Sequence, residues 1–180
     1  DAGGVEVIEM AIGDPDAPVT IIEYGSVTCS YCGRFHVEVL PQLEENYIDT
    51  GQVRFVFREV YQHRYGLWGG LVARCGGEMR YFGVIDRLME TQSEWLAGEP
   101  ADVAESLRRV GRSVGLNDDQ LDACLTDTAM AEAMIAVSEE QTTVANVQGT
   151  PSFVINGEFY ENMGYDAFVD VIDELLAEEG

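Results

Sequence analysis

With 180 residues and 46% hydrophobic content, the chain is long enough for one domain with a sizeable core and too apolar for a disordered tract. Its 33 acidic residues face 10 basic ones, all arginine, and the net charge of −23 repels phosphate backbones and anionic lipid, which excludes nucleic-acid binding. The acidic excess reads as a solvated, salt-tolerant surface, with a surface suited to basic or unfolded client chains as the functional alternative.

Residues 5–10 partly alternate in polarity and predict an edge strand, followed by a turn over Asp14-Pro15-Asp16-Ala17-Pro18. The apolar run over 19–24 predicts a buried central strand. Phe35, Val39, Leu40, Leu43 and Tyr47 then place a helix from Cys29 to about Tyr47, which Pro41 should kink by removing a backbone donor. Thr50-Gly51-Gln52 turns the chain into a second strand over 53–57. From about Tyr61 to Gln148 the signals are helical. Leu67, Leu71 and Cys75 share one face, although the glycine pairs at 69–70 and 76–77 weaken that helix. A helical pattern continues over 81–89. Val103, Leu107, Val110 and Val114 mark another helix stopped at Gly115, and Asn117 with Gln120 resembles a capping box. Met130, Met134, Val137, Gln141 and Val144 outline a longer helix, with the methionines read as core. A strand over 152–155, the turn Asn156-Gly157 and a returning strand over 158–160 form a hairpin. Phe168, Val171, Ile172, Leu175 and Leu176 define an amphipathic final helix. The order is ββαβ, a block of helices, then ββα.

Cys29-Ser30-Tyr31-Cys32 lies where the first central strand passes into the first helix. A cysteine at a helix start gains acidity, and the thiolate is the species that exchanges disulfides. The same spacing also serves zinc ribbons, haem attachment and structural disulfides. A four-cysteine zinc site needs a second close pair, and Cys75 and Cys124 lie far apart in sequence, so no metal is expected. Helix-end electrostatics contribute about one pK unit to such a thiol. Cys29 is the expected attacking thiol, and Cys32, one turn deeper, the buried resolving thiol.

Several further residues point the same way. Phe35-His36 follows the dithiol, Val53-Arg54-Phe55-Val56-Phe57-Arg58 forms the next strand, and Gly149-Thr150-Pro151 precedes the hairpin. With the element order, these resemble the DsbA-like family of thiol-disulfide oxidoreductases, whose α/β thioredoxin fold has a central mixed sheet flanked by helices and an inserted helical subdomain. The resemblance implies a discontinuous thioredoxin-like domain over 1–61 and 139–180, and an insertion over 62–138. Glu23 interrupts an apolar strand where thioredoxin-fold proteins often keep a buried acid, which would exchange a proton with Cys32; an exposed strand-end carboxylate is the alternative. The resemblance makes the Thr150–Pro151 bond cis and sets Thr150 to offer backbone groups to an extended client. Ser30 and Tyr31 help set the potential. Tyr31 stands where the best-known oxidases of the family have histidine, and since tyrosine carries no positive charge, Cys29 is expected to be less extreme in acidity.

His36 reads as helix surface by default, with electrostatic tuning of the site as the alternative. His63 reads as a loop residue, and Tyr61-Gln62-His63-Arg64 departs from the proline-containing loop common in relatives. Cys75 and Cys124 sit where many relatives carry a second pair, which implies a structural disulfide between inserted helices; two small buried hydrophobes are the alternative. No separate cofactor is expected, because the dithiol itself carries the electrons. The implied partners are folding proteins with cysteine thiols and an electron partner such as a membrane quinone-linked oxidase, with the protein acting as a monomer.

An even cysteine count suits an oxidising compartment, and the resemblance implies a bacterial periplasm or other extracytoplasmic space. No apolar stretch approaches the roughly 20 residues that cross a bilayer. No basic stretch leads into an apolar one, so a secretory leader is expected to have been removed. The expected activity is donation of the Cys29–Cys32 disulfide. The rivals are an isomerase or reductase of the same fold and a non-catalytic binding or chaperone module with a structural bridge. Isomerases of this fold usually carry an added dimerisation segment, which the short region before Val19 is not expected to supply.

Overall fold

A computed structural model describes residues 4–179. Five strands, β1 (Met10–Ile12), β2 (Val19–Gly25), β3 (Val53–Glu59), β4 (Ser152–Ile155) and β5 (Glu158–Tyr160), form one mixed sheet in the order β1-β3-β2-β4-β5. Only β2 and β3 run parallel, so a helical crossover must join them. That crossover contains α1 (Ser30–Arg34), a π turn (Phe35–Val39), α2 (Leu40–Leu43) and a second π turn (Glu44–Ile48). Pro41 falls at the start of α2, just after the first π turn, so the irregularity is a widened turn in which Leu40 N–H bonds Phe35 O.

The edge strand differs from expectation. Residues 5–9 stay outside the ladder, which begins at Met10 opposite Phe57. One reason is that Arg74 Nη1 donates to Ile8 O at 2.7 Å, giving that carbonyl a side-chain partner.

Between β3 and β4 lie α3 (Arg64–Cys75), α4 (Glu78–Glu90), α5 (Gln92–Trp95), α6 (Pro100–Ser113), α7 (Asp118–Leu125) and α8 (Thr128–Val144); α9 (Tyr165–Glu179) follows the hairpin. The two glycine pairs behave differently. Gly76-Gly77 separates α3 from α4, with Gly77 at φ +82°. Gly69-Gly70 lies inside an unbroken α3 because the packing needs it: a Cβ at Gly70 would stand 2.4 Å from Glu59 Oε1. Asn117 and Gln120 exchange side chain–backbone bonds of 2.8 and 2.9 Å, the capping box read from sequence. In the α8 stripe Met134 is buried and Met130 half-buried, but Val144 is exposed.

Phe35, Phe153 and Phe168 meet with centroids 4.8–5.6 Å apart, and Phe55 stacks on Phe35. Trp95, Tyr81, Leu88 and Leu107 extend the same core into the helices. The start of α1 is thereby held between the sheet and the helical block.

Candidate active site

Cys29 is the N-cap of α1, with extended backbone at φ −89° and ψ 124°. It is half-buried, while Cys32 is fully buried, and both are free thiols. The Cys29 thiol is lowered from 9.0 to about 5. The largest cause is a hydrogen bond from the Cys32 thiol to the Cys29 sulfur; burial opposes it, and the Thr150 side chain and the Cys32 and Tyr31 N–H groups assist. The shift exceeds the roughly one unit that a helix end supplies alone. Cys32 is pushed the other way, first because it donates to Cys29 and then because it is buried beside the Glu23 carboxylate. One sulfur is therefore an accessible thiolate and the other a retained thiol.

The Thr150–Pro151 peptide bond is cis and brings Thr150 O to 3.7 Å from Cys29 Sγ. Ser30 and Tyr31 are exposed, and the Arg34 guanidinium lies 5.5 Å from the Tyr31 ring centre.

Glu23 follows Val19 and Ile21 on one face of β2, and the period of two carries it into the core, where it is fully buried. Its Oε1 lies 2.6 Å from His36 Nε2, and its Oε2 has no hydrogen-bond partner. Burial raises the Glu23 carboxyl, against the lowering effect of His36. Burial alone would lower His36, but Glu23 and Asp86 outweigh it and raise the imidazole to about 9. The pair thus retains a proton at neutral pH.

His36 corrects the sequence reading: it is 5% exposed and packs edge-on against Phe57, away from the helix surface. A signal was present, because His36 stands four residues after Cys32 and so shares its helix face. His63 caps the start of α3, accepting from Tyr65 N–H at 3.2 Å. Cys75 and Cys124 form a disulfide joining α3 to α7. Among the described residues no cluster of three or more His, Cys, Asp or Glu is arranged to hold a metal.

The family model described as thioredoxin matches residues 6–174. The chain belongs to the thioredoxin family. A provisionally named protein-disulfide oxidoreductase of Rickettsia bellii is 30% identical over 94% of this chain and 65% of its own length, so the chain spans less than two thirds of that relative. Disulfide bond formation protein D of Bacillus subtilis is 26% identical over 92% of this chain and 76% of its own. Among solved structures, α-DsbA1 of Wolbachia pipientis superposes with a TM-score of 0.84 at 24% identity, covering 97% of this chain and 94% of that one. Oxidised BdbD of Bacillus subtilis gives 0.82 at 20% identity, covering 94% and 93%. These two likenesses establish a shared thioredoxin fold with the added helices.

Two glutamines beside this thioredoxin-family dithiol escaped the sequence reading. Gln92, which opens α5, donates from Nε2 to Val27 O at 3.0 Å and to Cys29 O at 2.8 Å. Gly33 backs onto its amide, where a Cβ would stand 2.4 Å from Oε1. Gln62 donates to Thr150 Oγ1 at 3.2 Å, which leaves the hydroxyl's own proton free for the Cys29 thiolate. Neither has a local pattern to betray it, since each acts on residues distant in sequence. Gln92→Ala strips a donor shared by two partly buried carbonyls and should lower stability by about 1–2 kcal/mol. Urea denaturation of the reduced proteins checks this; an unchanged midpoint contradicts it.

Proposed function

We propose that the protein is a thiol-disulfide oxidoreductase that donates its Cys29–Cys32 disulfide to cysteine-bearing folding proteins outside the cytoplasm. The observation that carries this reading is the opposed acidity of the two sulfurs, Cys29 lowered to about 5 and half-exposed, Cys32 raised and buried. A client thiolate attacks Cys29 Sγ of the disulfide, and the Cys29–Cys32 bond breaks with its electron pair passing to Cys32, which takes up a proton. A second client thiolate then attacks the client sulfur of the mixed disulfide. Cys29 departs as a thiolate and the client disulfide forms, so two electrons have passed to the protein. A thiol this acidic is a good leaving group, and its stability as thiolate makes the disulfide oxidising.

Thr150, beside the cis bond, supplies backbone groups for an extended client segment, and Glu23 serves the Cys32 proton. The names of the Rickettsia and Bacillus relatives support protein disulfides as the substrate class. The Cys75–Cys124 disulfide supports an oxidising compartment such as a periplasm, where a membrane quinone-linked oxidase is the proposed source of oxidant.

Equilibration with glutathione tests the direction. The expected potential lies between roughly −200 and −120 mV, and the oxidised protein should accelerate disulfide formation in a reduced, unfolded client. A value near −270 mV would mark a reductant and overturn the donor reading.

A further inference from the structure

Turnover moves a proton on or off Cys32, yet Cys32 and Glu23 are both 0% exposed and have no direct access to water. His36 bridges this gap. Its side chain is 1% exposed and holds two carboxylates, Glu23 at 2.6 Å from Nε2 and Asp86 at 3.4 Å from Nδ1, and Asp86 is 39% exposed. Asp86 comes from α4, whereas Glu23 comes from β2 and His36 from the first π turn. At the inner end, Glu23 Oε2 has no partner and lies against Gly25, where a Cβ would stand 2.6 Å from it. The next residue, Ser26, donates its N–H to Cys32 Sγ at 3.4 Å.

We propose that His36 and Asp86 form the solvent end of a proton relay that serves Cys32 through Glu23. The relay rests on the disulfide exchange proposed above. When the Cys29–Cys32 bond breaks, the thiolate left on Cys32 takes one proton from the Glu23–His36 pair. One proton enters the pair from water by way of the exposed Asp86 carboxylate, 3.4 Å from His36 Nδ1. When Cys32 attacks a mixed disulfide, the same path runs outward: Cys32 gives its proton to the pair, and the pair releases one past Asp86. The groups facing His36 are Glu23 from β2, Asp86 from α4 and Glu44 from the second π turn, with the Phe35, Phe55 and Phe57 rings packed edge-on against it. The high proton affinity of His36, raised to about 9, keeps the pair loaded.

Stopped-flow reaction of the reduced protein with nitrothiobenzoate disulfide separates the two thiols. Cys29 attacks the reagent and releases one nitrothiobenzoate; Cys32 then loses its proton, attacks Cys29 and releases the second. Asp86→Asn should leave the first release unchanged and slow the second by about tenfold at neutral pH, a modest part of the usual general acid–base contribution. It should also shift the pH profile of the second release, and Asp86→Glu should restore the wild-type rate. An unchanged second release, or equal slowing of both, overturns the relay while leaving the dithiol reading intact. Failure of the wild-type protein to release the first nitrothiobenzoate overturns both.

Discussion

Cys29→Ala is expected to lower catalysed disulfide formation by about a thousandfold or more, because the step that makes the mixed disulfide loses its sulfur. Cys32→Ala should behave differently. Cys29 would still engage client disulfides, but Cys32 could no longer resolve them, so mixed disulfides should accumulate on non-reducing gels. In the wild-type protein, the rate of Cys29 alkylation should rise with pH to a plateau, with its midpoint near the Cys29 value of about 5. The sign of the linkage follows from the lowered value. The contribution of Cys29 to the stability of the reduced fold is fully present above pH 9.0 and is lost as pH falls through about 5. Cys32→Ala removes the largest cause of the lowered pKa and should move the alkylation midpoint upward. A Cys29→Ala protein that still accelerated client oxidation would refute the assignment of Cys29 as the sulfur that forms the mixed disulfide.

The second large effect is on stability. Cys75 and Cys124 close a loop across a sequence separation of 49, which contains α4, α5, α6 and most of α7. For a loop of that length, chain entropy alone stabilises the fold by about 4 kcal/mol. The double substitution Cys75→Ser and Cys124→Ser should cost about that amount, a large share of a typical domain's 5–15 kcal/mol. Urea denaturation of the double variant and the wild type, with Cys29 and Cys32 reduced in both, measures the difference. The first nitrothiobenzoate release should persist under native conditions, because the bridge makes no contact with the Cys29 thiolate's donors. A loss below about 1 kcal/mol would mean that packing between α3 and α7 holds the segment without the bridge.

Most elements were legible because their signals are local. The apolar run over 19–24 marked β2 as a central strand, which pairs with a neighbour on each side. Asn156 and Gly157 take φ of +45° and +88°, the conformation their dipeptide signals. Other features were not legible. The edge strand began later than its alternation suggested, because Arg74 from α3 engages the Ile8 carbonyl. The spacing of His36 from Cys32 hinted at its burial, but its carboxylate partners were not legible, because they come from β2 and α4.

The sequence by itself determined the order of elements and the dithiol at a strand–helix junction, which follow from periodicity, turn chemistry and residue type within short windows. The buried acid and the proline loop opposite were implied by the family resemblance. Only the tertiary structure decided what surrounds each sulfur. Gln92 meets the Cys29 carbonyl from 63 residues away, and Thr150 approaches its sulfur from 121. Asp86 reaches His36 across 50 residues. The acidity of Cys29 and the proton affinity of the Glu23–His36 pair arise from burial and hydrogen bonds assembled by folding, which no window of the chain contains.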